Sequence, residues 1–142
     1  MNKKITPDQI NALARAAMAV KKNSYSPYSH FKVGAAVLAQ DGKIYSGTNI
    51  ENASFGLTIC AERCAIFSAI GNGQRRILAL ALCTDAIKGQ KFGTPCGACR
   101  QVMTEFMKAD APVILVSEGK KGSFEIFKKP LKNFMPFTFT EF

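Results

Sequence analysis

Two short stretches hold the residues best suited to chemistry: "TICAERC" at 58–64 and "TPCGAC" at 94–99. Cys96 and Cys99 stand in a Cys-x-x-Cys spacing after a proline, which lets one turn of chain bring two sulfurs to one ion. That pair alone would also serve redox chemistry. Cys60 supplies a third thiol and, like Cys96, falls where the pattern predicts the start of a helix. A helix N-terminus carries roughly half a positive charge, which stabilises a thiolate and so favours metal binding. Two such termini facing one point would make a thiolate cage suited to Zn2+.

Cys64 leaves two readings of that cage. With all four thiols the site would be a closed structural zinc centre that does no chemistry. Against this, Cys64 lies four residues into the helix that Cys60 opens, on its next turn. Glu62 is a costly carboxylate to leave beside an anionic thiolate cluster unless it has a task. With three protein ligands the fourth position stays open to water, which the metal acidifies. Glu62 is then placed to move that water's protons as a general acid/base, not as a ligand. Three thiolates leave the metal net negative, and Arg63 and Arg100 are close enough in sequence to compensate by donating to the sulfurs.

The elements that must hold these residues are legible in outline. "TPDQINALARAAMAVKK" predicts a helix ending near Asn23, with Thr6 as N-cap, Pro7 in the first turn and Gln9 closing a capping box. "FKVGAAVLAQDGKIYSGTNI" predicts a hairpin turning at Asp41-Gly42. "CAERCAIFSAIGNG" is a helix closed by Gly71 or Gly73, and "RILALALCT" is an apolar strand covered on both faces. "CGACRQVMTEFMK" is a helix, "PVILVS" a buried strand and "GSFEIFKKP" a fifth strand. Helices alternating with strands predict an α/β sheet with helices on its faces. Ligands in such sheets collect beyond the carboxyl ends of strands, near helix N-termini.

The totals fit one domain spanning residues 1–142. Composition is 47% hydrophobic and 20% charged, as in soluble globular proteins. No apolar run approaches the roughly 18 residues of a membrane span, and "MNKKITPDQI" has no apolar signal-peptide core. The expected location is cytoplasmic, where cysteines serve metal or thiol chemistry more than disulfides. Cys64 and Cys83 read as small buried apolar residues, and His30, the single histidine, as structural or surface. The net charge of +9 raises nucleic acid as a partner, but its cations are scattered in pairs, including Lys3-Lys4, Arg75-Arg76 and Lys128-Lys129. Scattered pairs read as solvated surface.

Cys-Ala-Glu followed by Pro-Cys-x-x-Cys matches the three-cysteine form of the zinc nucleobase-deaminase signature. Together with "SPYSHFKVGAAVL" and "DGKIYSGTNIENASFGLTICAER", it resembles the small homotetrameric cytidine deaminases of nucleoside salvage. The resemblance runs from about Tyr25 to Met107. It implies a three-layer αβα sandwich with a five-stranded mixed sheet, one Zn2+ per subunit on Cys60, Cys96 and Cys99, and Glu62 shuttling protons. It further implies hydrolytic deamination of cytidine and 2'-deoxycytidine in pyrimidine salvage.

Position by position, the resemblance makes Asn49 and Glu51 a ribose-binding pair and packs Phe31 on the base. The Ala61 N–H and the Thr94 carbonyl would hold the base's edge. Phe139 would reach a neighbouring subunit's site, with Phe137 and Phe142 as rivals. Many relatives have tyrosine where this chain has Phe55, so a hydroxyl near a neighbouring site is lost. Leu57 to Ile59 read as core and the approach to the site. An aromatic closing the pocket from a neighbour would exclude a polymer, so a free nucleoside, not nucleic acid or a membrane, is the expected partner.

Overall fold

The computed structural model of the chain describes residues 4–142. Lys3, half of one of the basic pairs, lies outside them. Three α-helices, α1 (Pro7–Lys21), α2 (Ala61–Gly71) and α3 (Gly97–Phe106), alternate with five strands. The strands are β1 (Val33–Ala39), β2 (Ile44–Thr48), β3 (Ile77–Thr84), β4 (Pro112–Glu118) and β5 (Phe124–Pro130). They form one sheet in the order β2-β1-β3-β4-β5. Only β3 and β4 run parallel; the other neighbours are antiparallel, so the sheet is mixed. Among the described residues no helix is long and apolar enough to cross a membrane.

Local chemistry fixes most of these boundaries. Thr6 caps α1 by accepting from the Gln9 N–H, while the Gln9 side chain accepts from the Thr6 N–H, which completes the capping box. Gly42 turns the β1–β2 hairpin at φ +82°, an angle that side chains rarely tolerate. Asp41 braces the same turn, accepting from the Lys43 N–H and the Tyr45 hydroxyl. α1 stops two residues short of Asn23, with Lys22 as its C-cap.

Alternate residues of the sheet feed two cores. Ile10, Leu13, Ala14, Ala17 and Met18 of α1 bury against Ala36, Leu38, Ala81 and Cys83 on one face. Ala61, Ala65, Ile66 and Ala69 of α2, with Cys99 and Met103 of α3, bury against Val37, Leu80, Leu82 and Val113 on the other. The architecture is the expected three-layer αβα sandwich, and β3 is covered on both faces. Gly47 lets α2 close on β2: a Cβ there would stand 2.5 Å from the Ala65 nitrogen. That approach sets where the N-terminus of α2, and with it Cys60, meets the sheet.

Candidate metal centre and active site

Cys60 is the N-cap of α2, Cys96 the N-cap of α3, and Cys99 lies in the first turn of α3. Neither N-cap side chain bonds to its own helix, which leaves both sulfurs available at a helix N-terminus. The three sulfurs lie within 4.8 Å of one another, and those of Cys60 and Cys96 are 3.8 Å apart. Tetrahedral zinc with bonds of about 2.3 Å to sulfur sets its sulfurs about 3.8 Å apart, so the donor set and its spacing fit the ion. Cys64 is not part of the group. It is half-buried where α2 presses on Gly47, less buried than the sequence suggested. Burial pushes its thiol up, against serving as a ligand.

The electrostatics of the trio favour one ready thiolate. Cys60 is drawn down to about 5, by a hydrogen bond from Cys99 and then by Arg63 and Cys96. Cys99 is pushed up because it keeps the proton it shares with Cys60 and is buried. A metal ion must displace that proton, so metal binding releases it. Arg63 donates from Nη2 to the Cys60 sulfur at 3.4 Å, and the thiolate pulls its pKa above the ordinary arginine range. Its Nε is buried without a hydrogen-bond partner. Arg100 does not do this, contrary to the sequence expectation. It donates to the Pro95 carbonyl at 2.7 Å and the Phe134 carbonyl at 2.9 Å, tying the loop before Cys96 to the C-terminal segment.

Glu62 is 4% exposed, directly beside this cluster. Burial pushes its carboxyl up to about 7; its own backbone N–H opposes the shift and the Cys60 thiolate adds to it. A carboxyl poised near neutral pH can both take and give a proton.

The residues assigned to substrate by resemblance gather around the same end of the sheet. Phe31, half-buried, sits just before β1, and Ala61, fully buried, opens α2. Thr94 is exposed on the loop before α3. Asn49 is 8% exposed, and its amide is already engaged. Nδ2 donates to the Phe31 carbonyl at 2.8 Å, while Oδ1 accepts from the Val33 N–H at 3.0 Å and from the Ser24 hydroxyl. Glu51 accepts at Oε1 from the N–H groups of Tyr28 and Ser29, at 2.9 and 3.1 Å. Those bonds, with the Ser29 hydroxyl first, hold its carboxyl below the usual range. Both residues therefore brace the segment leading to Phe31. Each keeps one polar site in hand, an Nδ2 hydrogen or Oε2.

Phe139 is 67% exposed and stacks on Phe142, and its carbonyl accepts from Gln101 of α3. Leu57 is not core: it is 70% exposed on a 3-10 turn, while Thr58 and Ile59 are half-buried. His30 is exposed, with φ +57°, and Cys83 is buried, as expected.

Sequence reasoning missed Asp85. At the carboxyl end of β3 its Oδ2 accepts from the Lys32 N–H at 2.8 Å and its own N–H donates to the Lys32 carbonyl at 2.9 Å. Its Oδ1 pairs with Lys21 at 3.2 Å, and Lys21 also pairs with Glu118 at 2.9 Å. Asp85 thus grips the residue after Phe31 from the side opposite Asn49. Its position just past an apolar strand was the available signal.

Comparison with known proteins agrees with this geometry. Residues 7–115 match the family described as the cytidine and deoxycytidylate deaminase zinc-binding region. The chain belongs to that family: it is a deaminase, hence a hydrolase, and zinc is its metal. More narrowly, its relatives are cytidine deaminases. That of Halalkalibacterium halodurans is 48% identical over 103 residues, 72% of this chain and 76% of the relative. That of Sporosarcina psychrophila is 45% identical over 82% of both chains. The crystal structure of cytidine deaminase from Burkholderia pseudomallei superposes with a TM-score of 0.79 at 40% identity, covering 95% of this chain and all of that one.

Proposed function

We propose that this chain converts cytidine and 2'-deoxycytidine, with water, to uridine and 2'-deoxyuridine plus ammonia, as a step of pyrimidine salvage. The observation that carries this reading is a buried carboxyl, Glu62, beside three thiols spaced for one zinc ion. The relatives' names point to cytidine. Zn2+, when bound by Cys60, Cys96 and Cys99, supplies Lewis acidity that makes water a nucleophile at neutral pH. Glu62 takes a proton from the attacking water and delivers it to N3 of the pyrimidine as the new bond forms at C4. It then passes the second proton to the amino group, which leaves as ammonia. Arg63 offsets the thiolates' charge.

The Ala61 N–H and the Thr94 carbonyl hold the polar edge of the base, and Phe31 packs on its face. Asn49 and Glu51 bind the ribose with the polar sites that their bracing bonds leave over. The whole chain, 1–142, acts as a single catalytic domain in the cytoplasm. Four copies assemble, as the resemblance implies, and the exposed Phe137, Phe139 and Phe142, an aggregation risk unless a neighbour covers them, support an oligomer. In that assembly Phe139 completes an adjacent site and shuts out a polymer.

The ultraviolet spectrum of cytidine incubated with the zinc-loaded protein tests this, beside a Glu62→Gln variant. Conversion to uridine by the native protein alone is expected. Conversion by both would remove Glu62 from its role, and conversion by neither, with zinc bound, would overturn the cytidine reading.

A further inference from the structure

The end of the sheet opposite the cysteines holds a cleft of about 820 Å³. It opens where β3 and β4 begin and β1 and β5 finish. β3 has 8 residues, so at about 3.3 Å each its two ends stand roughly 23 Å apart. A nucleoside at the cysteine end does not reach it.

Six cationic side chains line this cleft (Lys4, Arg76, Lys108, Lys128, Lys129 and Lys132) against one carboxylate, Asp110. They come from four separate stretches of chain, so only the fold brings them together, and they make up much of the net charge of +9. Among the described residues the ion pairs Lys21–Asp85, Lys21–Glu118 and Lys91–Glu125 lie elsewhere, which leaves Lys4, Arg76, Lys128, Lys129 and Lys132 of the cleft without a carboxylate partner. Lys129 has only the face of the Phe127 ring, 5.7 Å away. Gathering like charges around one concavity works against folding and raises the local concentration of anions.

The floor beneath them is apolar and fixed. Ile77 is 1% exposed and Ile10 8%, and Ile5 and Leu78 continue the surface. A cleft of a few hundred to about 1,000 Å³ with an apolar base and convergent polar groups is the usual form of a small-molecule site. A neutral nucleoside has nothing to offer six cations. Orthophosphate would leave the floor unused.

We propose that this cleft binds a small molecule carrying two or more adjacent phosphates on an apolar group, the chemistry of a nucleoside di- or triphosphate. The phosphates lie among the lysines and Arg76, and the apolar group rests on the half-buried Ile5 and Leu78. This does not rest on the deamination reading and needs nothing from the cysteine end.

The test is titration calorimetry on the zinc-loaded full chain with inorganic tripolyphosphate and with adenosine triphosphate. Zinc content is measured afterwards, to separate binding from metal stripping. Both probes are expected to bind one per chain, and orthophosphate and adenosine at least tenfold more weakly. Adenosine triphosphate binding tighter than tripolyphosphate assigns the floor to the organic group; equal or weaker binding would overturn the apolar half of the proposal. Raising salt from 50 to 200 mM should weaken both, because released counterions drive such contacts.

The double reversal Lys128→Glu/Lys129→Glu should weaken binding at least tenfold, and Lys22→Glu, an exposed charge outside the cleft, should not. Arg76→Glu is the second variant should the double one misfold. No binding, or binding indifferent to both reversals, overturns the proposal. So does displacement of the triphosphate by single-stranded oligonucleotides whose affinity grows with length, which would give the cleft to a polymer.

Discussion

The two ends of the central sheet handle charge in opposite ways. At the carboxyl end of β3 the ionisable groups are buried or half-buried and answer one another: Arg63 donates to Cys60, Cys99 shares its proton with Cys60, and Glu62 is raised to about 7. At the amino end the charges are exposed and mostly of one sign, six cations around a single carboxylate. Removing groups from water makes their interactions strong and local, which suits proton transfer. Leaving them in water makes them weak singly and additive over distance, which suits attraction of an anion. One sheet can hold both because its length keeps them apart.

Changes at the cysteine end should therefore be large and specific. Cys99→Ser, at a fully buried ligand position, should reduce bound zinc to well under one per chain and abolish turnover, as measured by metal analysis beside the cytidine assay. Glu62→Gln should keep its zinc and lose activity by a factor on the order of 10²–10⁴. It should leave tripolyphosphate binding at the other end unchanged; a change there would break the independence of the two ends. Arg63→Gln should weaken zinc binding by about 10- to 100-fold, the usual cost of losing a group that orients a ligand, as read by competition with a chelator.

The smallest expected effect concerns Glu51. Its carboxyl is held below the usual range by the Ser29 hydroxyl and the Ser29 and Tyr28 N–H groups. A depressed folded pKa gives stabilisation that is present above the unfolded value of 4.5 and lost as pH falls through the lower folded value. Amide exchange at Tyr28 and Ser29 should therefore quicken, relative to the chain's average, only below pH 4.5, and Glu51→Gln should remove that step. An equal acceleration in the variant would sever Glu51 from the segment it braces.

What the sequence made legible was local. The Thr6–Gln9 capping box, the Asp41-Gly42 turn and the apolar run of β3 each act within a few residues, and the structure keeps all three. The zinc trio was legible because helix N-termini near strand ends meet at one place in an α/β sheet. Side chains that answer to distant partners were not. Arg100 is as near the ligands in sequence as Arg63, yet its partners are Pro95 and Phe134, and no spacing rule predicts that. Asn49 was assigned to the ribose by resemblance alone, and nothing in its sequence neighbourhood shows that its amide also bonds the backbone of Phe31 and Val33. The lysines looked scattered because the cleft's cations come from four stretches that only the finished sheet aligns.

Deamination at this centre requires three sulfurs on the metal and one position open. X-ray absorption at the zinc edge of the fully loaded protein, beside Cys64→Ala, tests it most directly. Three sulfurs at about 2.3 Å with one lighter donor, the same in both proteins, is the predicted result. Four sulfurs in the native protein, falling to three in the variant, would make the centre structural and contradict the account.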